Sequence, residues 1–174
     1  MVKQLGTEVV VIGGGNMGAS TALFLRKRGI QVVVLERDLC GSRSSGVNFG
    51  GVRRQGRSLA MLPLSQRAHQ HWGRLTALIG TEAEYERSGH FKIARSQADM
   101  DALLHYADKT RDCGLDLQLL DGAELQKRFP VGGAKVVGGS FCPHDGQANP
   151  RILSPAFATA AARAGAQVFE HTPV

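Results

Sequence analysis

Three glycines constrain this chain more than anything else in it. They stand within Thr7 to Asp38, TEVVVIGGGNMGASTALFLRKRGIQVVVLERD. Val9, Val10, Val11 and Ile12 form a short apolar run, which predicts a parallel strand buried on both faces. Gly13, Gly15 and Gly18 follow with G-x-G-x-x-G spacing, at the point where that strand turns into a helix. Gly13 permits the tight turn, Gly15 lets the backbone approach a pyrophosphate, and Gly18 lets the helix pack close to the strand. The first helix amides, at Asn16 and Met17, are expected to be unpaired donors at the positive end of a helix dipole, which suits a phosphate.

The residues on either side agree with that reading. A helix is expected from Asn16 to Arg28, with Ala19, Ala22, Leu23 and Phe24 apolar, basic residues at 26–28 in its last turn and Gly29 as its stop. A second strand, Ile30 to Leu35, leads to Glu36, where a carboxylate is needed to accept both hydroxyls of an adenosine ribose. The stretch is therefore a dinucleotide site. Glu36 would repel a ribose 2′-phosphate; Arg37 could attract one, but an arginine after a strand end is more often solvated or near the adenine edge. The fingerprint does not itself choose between FAD and NAD.

A chain of 174 residues is long enough for one domain with a real core. The formal charge of +6 comes with no lysine run and no interleaved aromatic stripe, so it favours an anionic cofactor or substrate over nucleic acid. Cys40, Cys113 and Cys142 are far apart, show no metal-ligand spacing and fit reduced thiols, so no metal is expected and the protein is expected to be cytoplasmic. The first residues, MVKQLGTE, do not form a signal peptide, and no apolar run approaches a membrane span.

After Asp38 comes a loop, LCGSRSSGVNFGGVRRQGR, of a length that is usually functional or disordered; Val47, Phe49 and Val52 argue against disorder. Ser44 and Ser45 are expected to reach the pyrophosphate from the side opposite the helix. Gly50 and Gly51 would let the main chain lie against a flat ring system.

Taken together, VVVIGGGNMGASTALFLRKRG, VVLERD and SSGVNFGGVRRQGR resemble the N-terminal part of the FAD-dependent D-amino-acid oxidase superfamily. Within it the chain is most similar to the sarcosine oxidase β-subunit and the D-amino-acid or opine dehydrogenase-like branch. LPLSQRAHQHW, EYERSGHFKIA and HDGQANPRILSPAFATAAARAGAQVFEHTPV continue the likeness. The resemblance implies non-covalent FAD and oxidation of a secondary amine or amino acid (sarcosine, a D-amino acid, proline or an opine-like compound). Oxygen or another carrier would accept the electrons, and other oxidase subunits are potential partners. The implied fold is α/β: a Rossmann-type FAD-binding domain over 1–83 and 143–174, with part of an α+β substrate-binding domain inserted at 84–142. Arg53 is the best candidate for contacting the flavin edge or a substrate carboxylate, followed by Arg54, and a positive charge there would favour the reduced, anionic flavin. Val174 would approach the adenine. A chain of this family is expected to continue for about as long again, so this one is read as truncated. Two alternatives stay open: an FAD-carrying fragment or subunit without activity of its own, and an NAD-dependent dehydrogenase, against which the glycine-arginine loop argues.

The remaining elements follow from periodicity and caps. Leu64, Ala68, Trp72, Leu75 and Ile79 predict one amphipathic helix over Met61 to Gly80. His69 and His71 are read as structural. Tyr85 to Arg87 and Phe91 to Ala94 predict short strands; His90 between them could neighbour a flavin, but nothing nearby in sequence supports it. Ser96 with Asp99, and Asp121 with Glu124, predict capped helices, the first burying Met100, Leu103, Leu104 and Ala107 and ending at Gly114, the second stopping at Pro130. Strands are expected at Leu115 to Leu120, Val136 to Cys142 and Gln167 to Glu170. A helix capped by Asn149-Pro150 is expected to run to Gly165. Asp145-Gly146 is read as a turn.

Overall fold

The computed structural model describes residues 6–130 and 135–174. In chain order its elements are β1 (Val9–Ile12), α1 (Asn16–Arg26), β2 (Val32–Leu35), β3 (Gly51–Val52), α2 (Leu62–Trp72), α3 (Leu75–Ile79), β4 (His90–Ala94) and α4 (Gln97–Lys109). They continue with β5 (Gln118–Asp121), α5 (Gly122–Arg128), β6 (Gly138–Cys142), β7 (Gly146–Gln147), α6 (Pro150–Arg163) and β8 (Gln167–Phe169). The chain forms two compact units, one of Met1–Gly51, Gly73–Tyr85 and Ala148–Val174, the other of Val52–Trp72 and Glu86–Gln147.

The first unit is Rossmann-like. Its parallel sheet has the order β1-β2-β8, with Val9 opposite Val32 and Leu35 opposite Phe169. β2, paired with β1 on one side and β8 on the other, is buried over Val32–Val34. β1 differs from its expectation: Val10 is 53% and Ile12 70% exposed, while Val9 and Val11 are partly covered. Alternation of side chains across the strand leaves one face of β1 unpacked among the described residues, so an apolar run alone did not report two-sided burial. Helix α1 packs against α6, and Ala19 and Ala22 of the first and Ala158 and Ala161 of the second are buried. Arg26 joins the two ends, its Nε donating to the Ala164 carbonyl at 3.0 Å. Asn149 caps α6 as expected, accepting from the Arg151 amide at 3.0 Å.

The second unit carries an antiparallel sheet in the order β4-β6-β5, with α4 and α5 packed on it. Both expected capping boxes are present: Ser96 with Asp99 opens α4, and Asp121 with Glu124 opens α5. Helix α4 ends at Lys109, short of Gly114, and Leu104 is exposed while Thr110 is buried. The single helix expected over 61–80 is broken at Gly73-Arg74 into α2 and α3. The buried side of α2 is also not the predicted stripe: Leu64 and Ala68 are exposed, whereas Leu62 is buried and Gln66 and His69 are partly buried. Gln66 and His69 turn inward because they have partners there. Gln66 accepts from Arg54 at 2.8 Å, and His69 Nε2 lies 2.9 Å from the His144 carbonyl. Hydrophobic periodicity cannot see a polar face that is buried by hydrogen bonding. The segment 85–87 forms an isolated bridge at Glu86 instead of a strand.

Candidate functional site

The glycine turn joins β1 to α1 in the first unit. Gly13 has φ +100°, which a residue with a side chain adopts only under strain, and its amide donates to the Leu35 carbonyl at 2.8 Å. A Cβ on Gly18 would collide with the Gly13 carbonyl oxygen and lie 3.1 Å from Val11 Cγ1, so close helix–strand packing explains this glycine. At Gly15 a Cβ would lie 2.8 Å from Ser45 Oγ.

Glu36 stands beside this turn and is 8% exposed. Its Oε2 accepts from the Gly14 amide at 2.6 Å and its Oε1 from the Asp38 amide at 2.9 Å. Each carboxylate oxygen keeps a second lone pair, so the group can still accept from hydroxyls of a ligand. The main chain at Glu36 is fixed by the segment after β8: its amide donates to the Phe169 carbonyl at 2.9 Å and its carbonyl accepts from the Thr172 amide at 2.7 Å.

The loop after β2 folds over the turn. Ser45 Oγ accepts from the Asn16 amide at 2.9 Å. One of the two helix amides expected to be unpaired is therefore satisfied by a serine that was expected to face the phosphate from elsewhere. Among the described residues, nothing pairs with the buried Oδ1 of Asn16. Asn48 braces the loop, donating to the Ser45 carbonyl at 2.7 Å and accepting from the Gly50 amide at 2.8 Å. Gly50 has φ +70°, and a Cβ there would collide with the Ala148 carbonyl. Gly51 has open space around its Cα, and Ser44, Arg37 and Val174 are exposed. Phe49 is 105% exposed and Val47 is also exposed, so polar contacts and not apolar burial order this loop. Cys40 packs against Gly14, and its amide donates to Glu170 at 2.7 Å. Burial first, then the Glu170 and Glu36 carboxylates, push its thiol up to about 12.

The second unit holds Arg53 and Arg54, which behave in opposite ways. Arg53 is exposed, with Nη1 donating to the Gln55 carbonyl at 2.7 Å. Arg54 is buried, with Nε 3.2 Å from Oδ1 of the fully buried Asp145. Its Nη1 also donates to Gln66 at 2.8 Å and to the Gly114 carbonyl at 3.1 Å. Asp145 Oδ2 accepts from the amides of Arg54 and Gln55, both at 2.9 Å. Arg54 is thus consumed inside the unit, which corrects its reading as a second flavin or substrate contact. Asp145 does more than make a turn: it anchors residues 54–55. His90, set aside from sequence, meets fully buried Gln55 through Nδ1 at 3.0 Å. Burial lowers its pKa, and the nearby Arg53 and Lys92 charges lower it further while Asp145 opposes them.

Comparison with known proteins gives this geometry its context. The family model described as DAO, FAD dependent oxidoreductase, matches residues 8–174. Among curated proteins, glycine oxidase of Geobacillus kaustophilus is 30% identical over 96% of this chain and 46% of its own length. An opine oxidase subunit of Rhizobium meliloti is 29% identical over 91% of this chain and 46% of its own length. Among solved structures, L-proline dehydrogenase from P. horikoshii superposes with TM-score 0.91 at 27% identity, over 99% of this chain and 46% of that one. The chain thus spans about half the length of these relatives. No helix among the described residues is long and apolar enough to cross a membrane. A match covering nearly the whole chain, on a Rossmann-like unit with its glycine turn and acidic partner in place, makes this chain a member of the DAO family of FAD-dependent oxidoreductases.

Proposed function

We propose that the whole protein oxidises the C–N bond of an amino acid or secondary amine, and that this chain supplies the adenine-dinucleotide half of its FAD site. The chemistry FAD supplies when bound is acceptance of a hydride from the carbon beside the amine nitrogen, after which water hydrolyses the imine. The observation that carries the reading is the family match over residues 8–174 together with the Glu36 carboxylate held 2.6 Å from the Gly14 amide at the glycine turn. The residues fit an adenine dinucleotide: the Glu36 carboxylate, an acceptor suited to ribose hydroxyls, lies just past the end of β2 beside the glycine turn.

In this reading Gly13, Gly15 and Gly18 shape the turn, Met17 and Ser44 face the pyrophosphate, and Ser45, whose oxygen already takes the Asn16 amide, keeps its hydroxyl proton to donate to it. Glu36 accepts the ribose hydroxyls, with Arg37 at the adenine edge and Val174 as a further adenine contact. Gly50 and Gly51 leave room for a flat ring. Arg53 is the candidate for the flavin edge or a substrate carboxylate. The substrate reacts as its neutral amine, whose lone pair assists hydride loss, so no side chain need act as a strong base. Oxygen or another carrier takes up the electrons. A second reading, a component that works within a multi-subunit oxidase, is favoured by the likeness to the opine oxidase subunit of Rhizobium meliloti.

The test is the visible absorption spectrum of the purified 174-residue chain and of the full-length protein, followed by an amine screen. A yellow short chain that releases FAD on denaturation makes this half-site self-sufficient. A yellow long chain alone makes it an incomplete half. Binding of NADH with no flavin in either would overturn the reading.

A further inference from the structure

The second unit holds two cations against one small space. Arg53 Nη1 and Lys92 Nζ lie 3.2 and 3.4 Å from the point that a Cβ on Gly56 would occupy. Gly56 has φ +78°, so a side chain is disfavoured there on backbone grounds as well. Both cations are exposed, and among the described residues neither makes an ion pair. Like charges brought together without a counter-ion repel, and an anion between them relieves that cost.

The ground beneath them is rigid. Asp145 clamps the amides of Arg54 and Gln55, and the Gln55 carbonyl in turn holds Arg53 Nη1 at 2.7 Å. The Gln55 side chain is fixed at both ends: Ser140 donates to its Oε1, and its Nε2 donates to the His90 carbonyl at 2.8 Å. A carbonyl only accepts, so the group facing His90 is the amide nitrogen, and His90 Nδ1, 3.0 Å from it, must accept as well. The ring is thereby held neutral with its proton on Nε2, because a proton on Nδ1 would face another donor. His90 and Lys92 stand two residues apart on β4 and so share a face of the strand. Asp145, the nearest acid in this network, is already spent on Arg54.

We propose that Arg53, Lys92 and the Nε2–H of His90 form a carboxylate-binding subsite, and that its charge selects a secondary amine carrying two carboxylates over a plain zwitterionic amino acid. A zwitterion brings one carboxylate and one ammonium, and the ammonium is repelled here. A second carboxylate on the nitrogen substituent gives the ligand a net negative charge to set against the two cations. The substrate class rests on the amine-oxidising reading above; the anion subsite does not.

The test uses the full-length flavin-loaded protein and its Lys92→Gln and Lys92→Arg variants, since an exposed lysine can be replaced without disturbing the fold. Calorimetric titration with malonate, a dicarboxylate that cannot be oxidised, is compared with acetate. Malonate is expected to bind the parent more tightly than acetate, to lose about tenfold in Lys92→Gln and to keep most of its affinity in Lys92→Arg. With iminodiacetate as substrate the same loss should appear in KM and not in kcat. Malonate and acetate binding alike, or malonate affinity unmoved by Lys92→Gln, overturns the subsite even if amines are oxidised. If Lys92→Gln loses malonate but no amine reduces the flavin, the subsite stands and the amine reading falls.

Discussion

Glu36 uses both carboxylate oxygens as acceptors, from Gly14 at 2.6 Å and Asp38 at 2.9 Å. Glu36→Gln turns one of those oxygens into a donor facing a donor, and removes the charge-assisted acceptor proposed for the ribose. FAD affinity should fall about tenfold or more, with about 1–3 kcal/mol lost from local stability; a fluorescence titration in which the variant binds FAD like the parent would remove Glu36 from the site. Cys40 gives a second residue-scale prediction. With its thiol pushed up to about 12, it should resist iodoacetamide at pH 8 in the native protein and react once urea unfolds it, read by mass spectrometry. The roles of Gly13 in the turn and Gly18 in helix–strand packing were legible from sequence because φ > 0 and close approach are demands on the backbone that only glycine meets. Asp145 and Arg54 were not, because their pairing joins positions 91 residues apart. Asp-Gly looks like a turn whether or not its carboxylate is buried.

Helices and strands were legible where short-range signals define them. Both capping boxes, the Asn149-Pro150 start of α6 and the β1-α1-β2 unit stand where caps and apolar runs put them. What failed was the choice of buried face on α2, where Gln66 is turned inward by hydrogen bonds and Leu64 is left outside; on α4 Leu103 is buried and Met100 and Ala107 are partly buried as expected, and Leu104 alone of that face lies outside. Packing of α1 on α6 makes its own prediction. Ala161 is fully buried in α6, so Ala161→Leu has no space to enter without displacing its neighbours. It should cost about 1–3 kcal/mol in urea denaturation, whereas Ala162→Leu, on the exposed side, should be close to neutral. A neutral Ala161→Leu would mean that the packing around α6 is loose.

At the scale of the whole molecule, the His90 and His69 pKa values are both lowered, chiefly by burial. Below the ordinary histidine value of 6.5 the unfolded chain therefore binds protons that the folded chain refuses, so stability is full above pH 6.5 and falls as pH drops below it. Urea midpoints measured from pH 7.5 down to 5.5 should decline, and His90→Gln should flatten the decline; an unchanged slope in that variant would exclude His90 as a contributor. The sequence by itself determined the family, the glycine turn, the acidic residue beside it and most element starts. Each of these rests on spacing and backbone conformation within a few residues, or on a motif that runs along the chain. Only the tertiary structure decided that one face of β1 is left exposed by the described residues, that Arg54 is spent on Asp145 while Arg53 is exposed beside Lys92, and that Gln55 fixes the tautomer of His90. The physical reason is that burial and polar pairing are set by neighbours distant in sequence, and no local pattern encodes which of two adjacent arginines will meet a buried carboxylate.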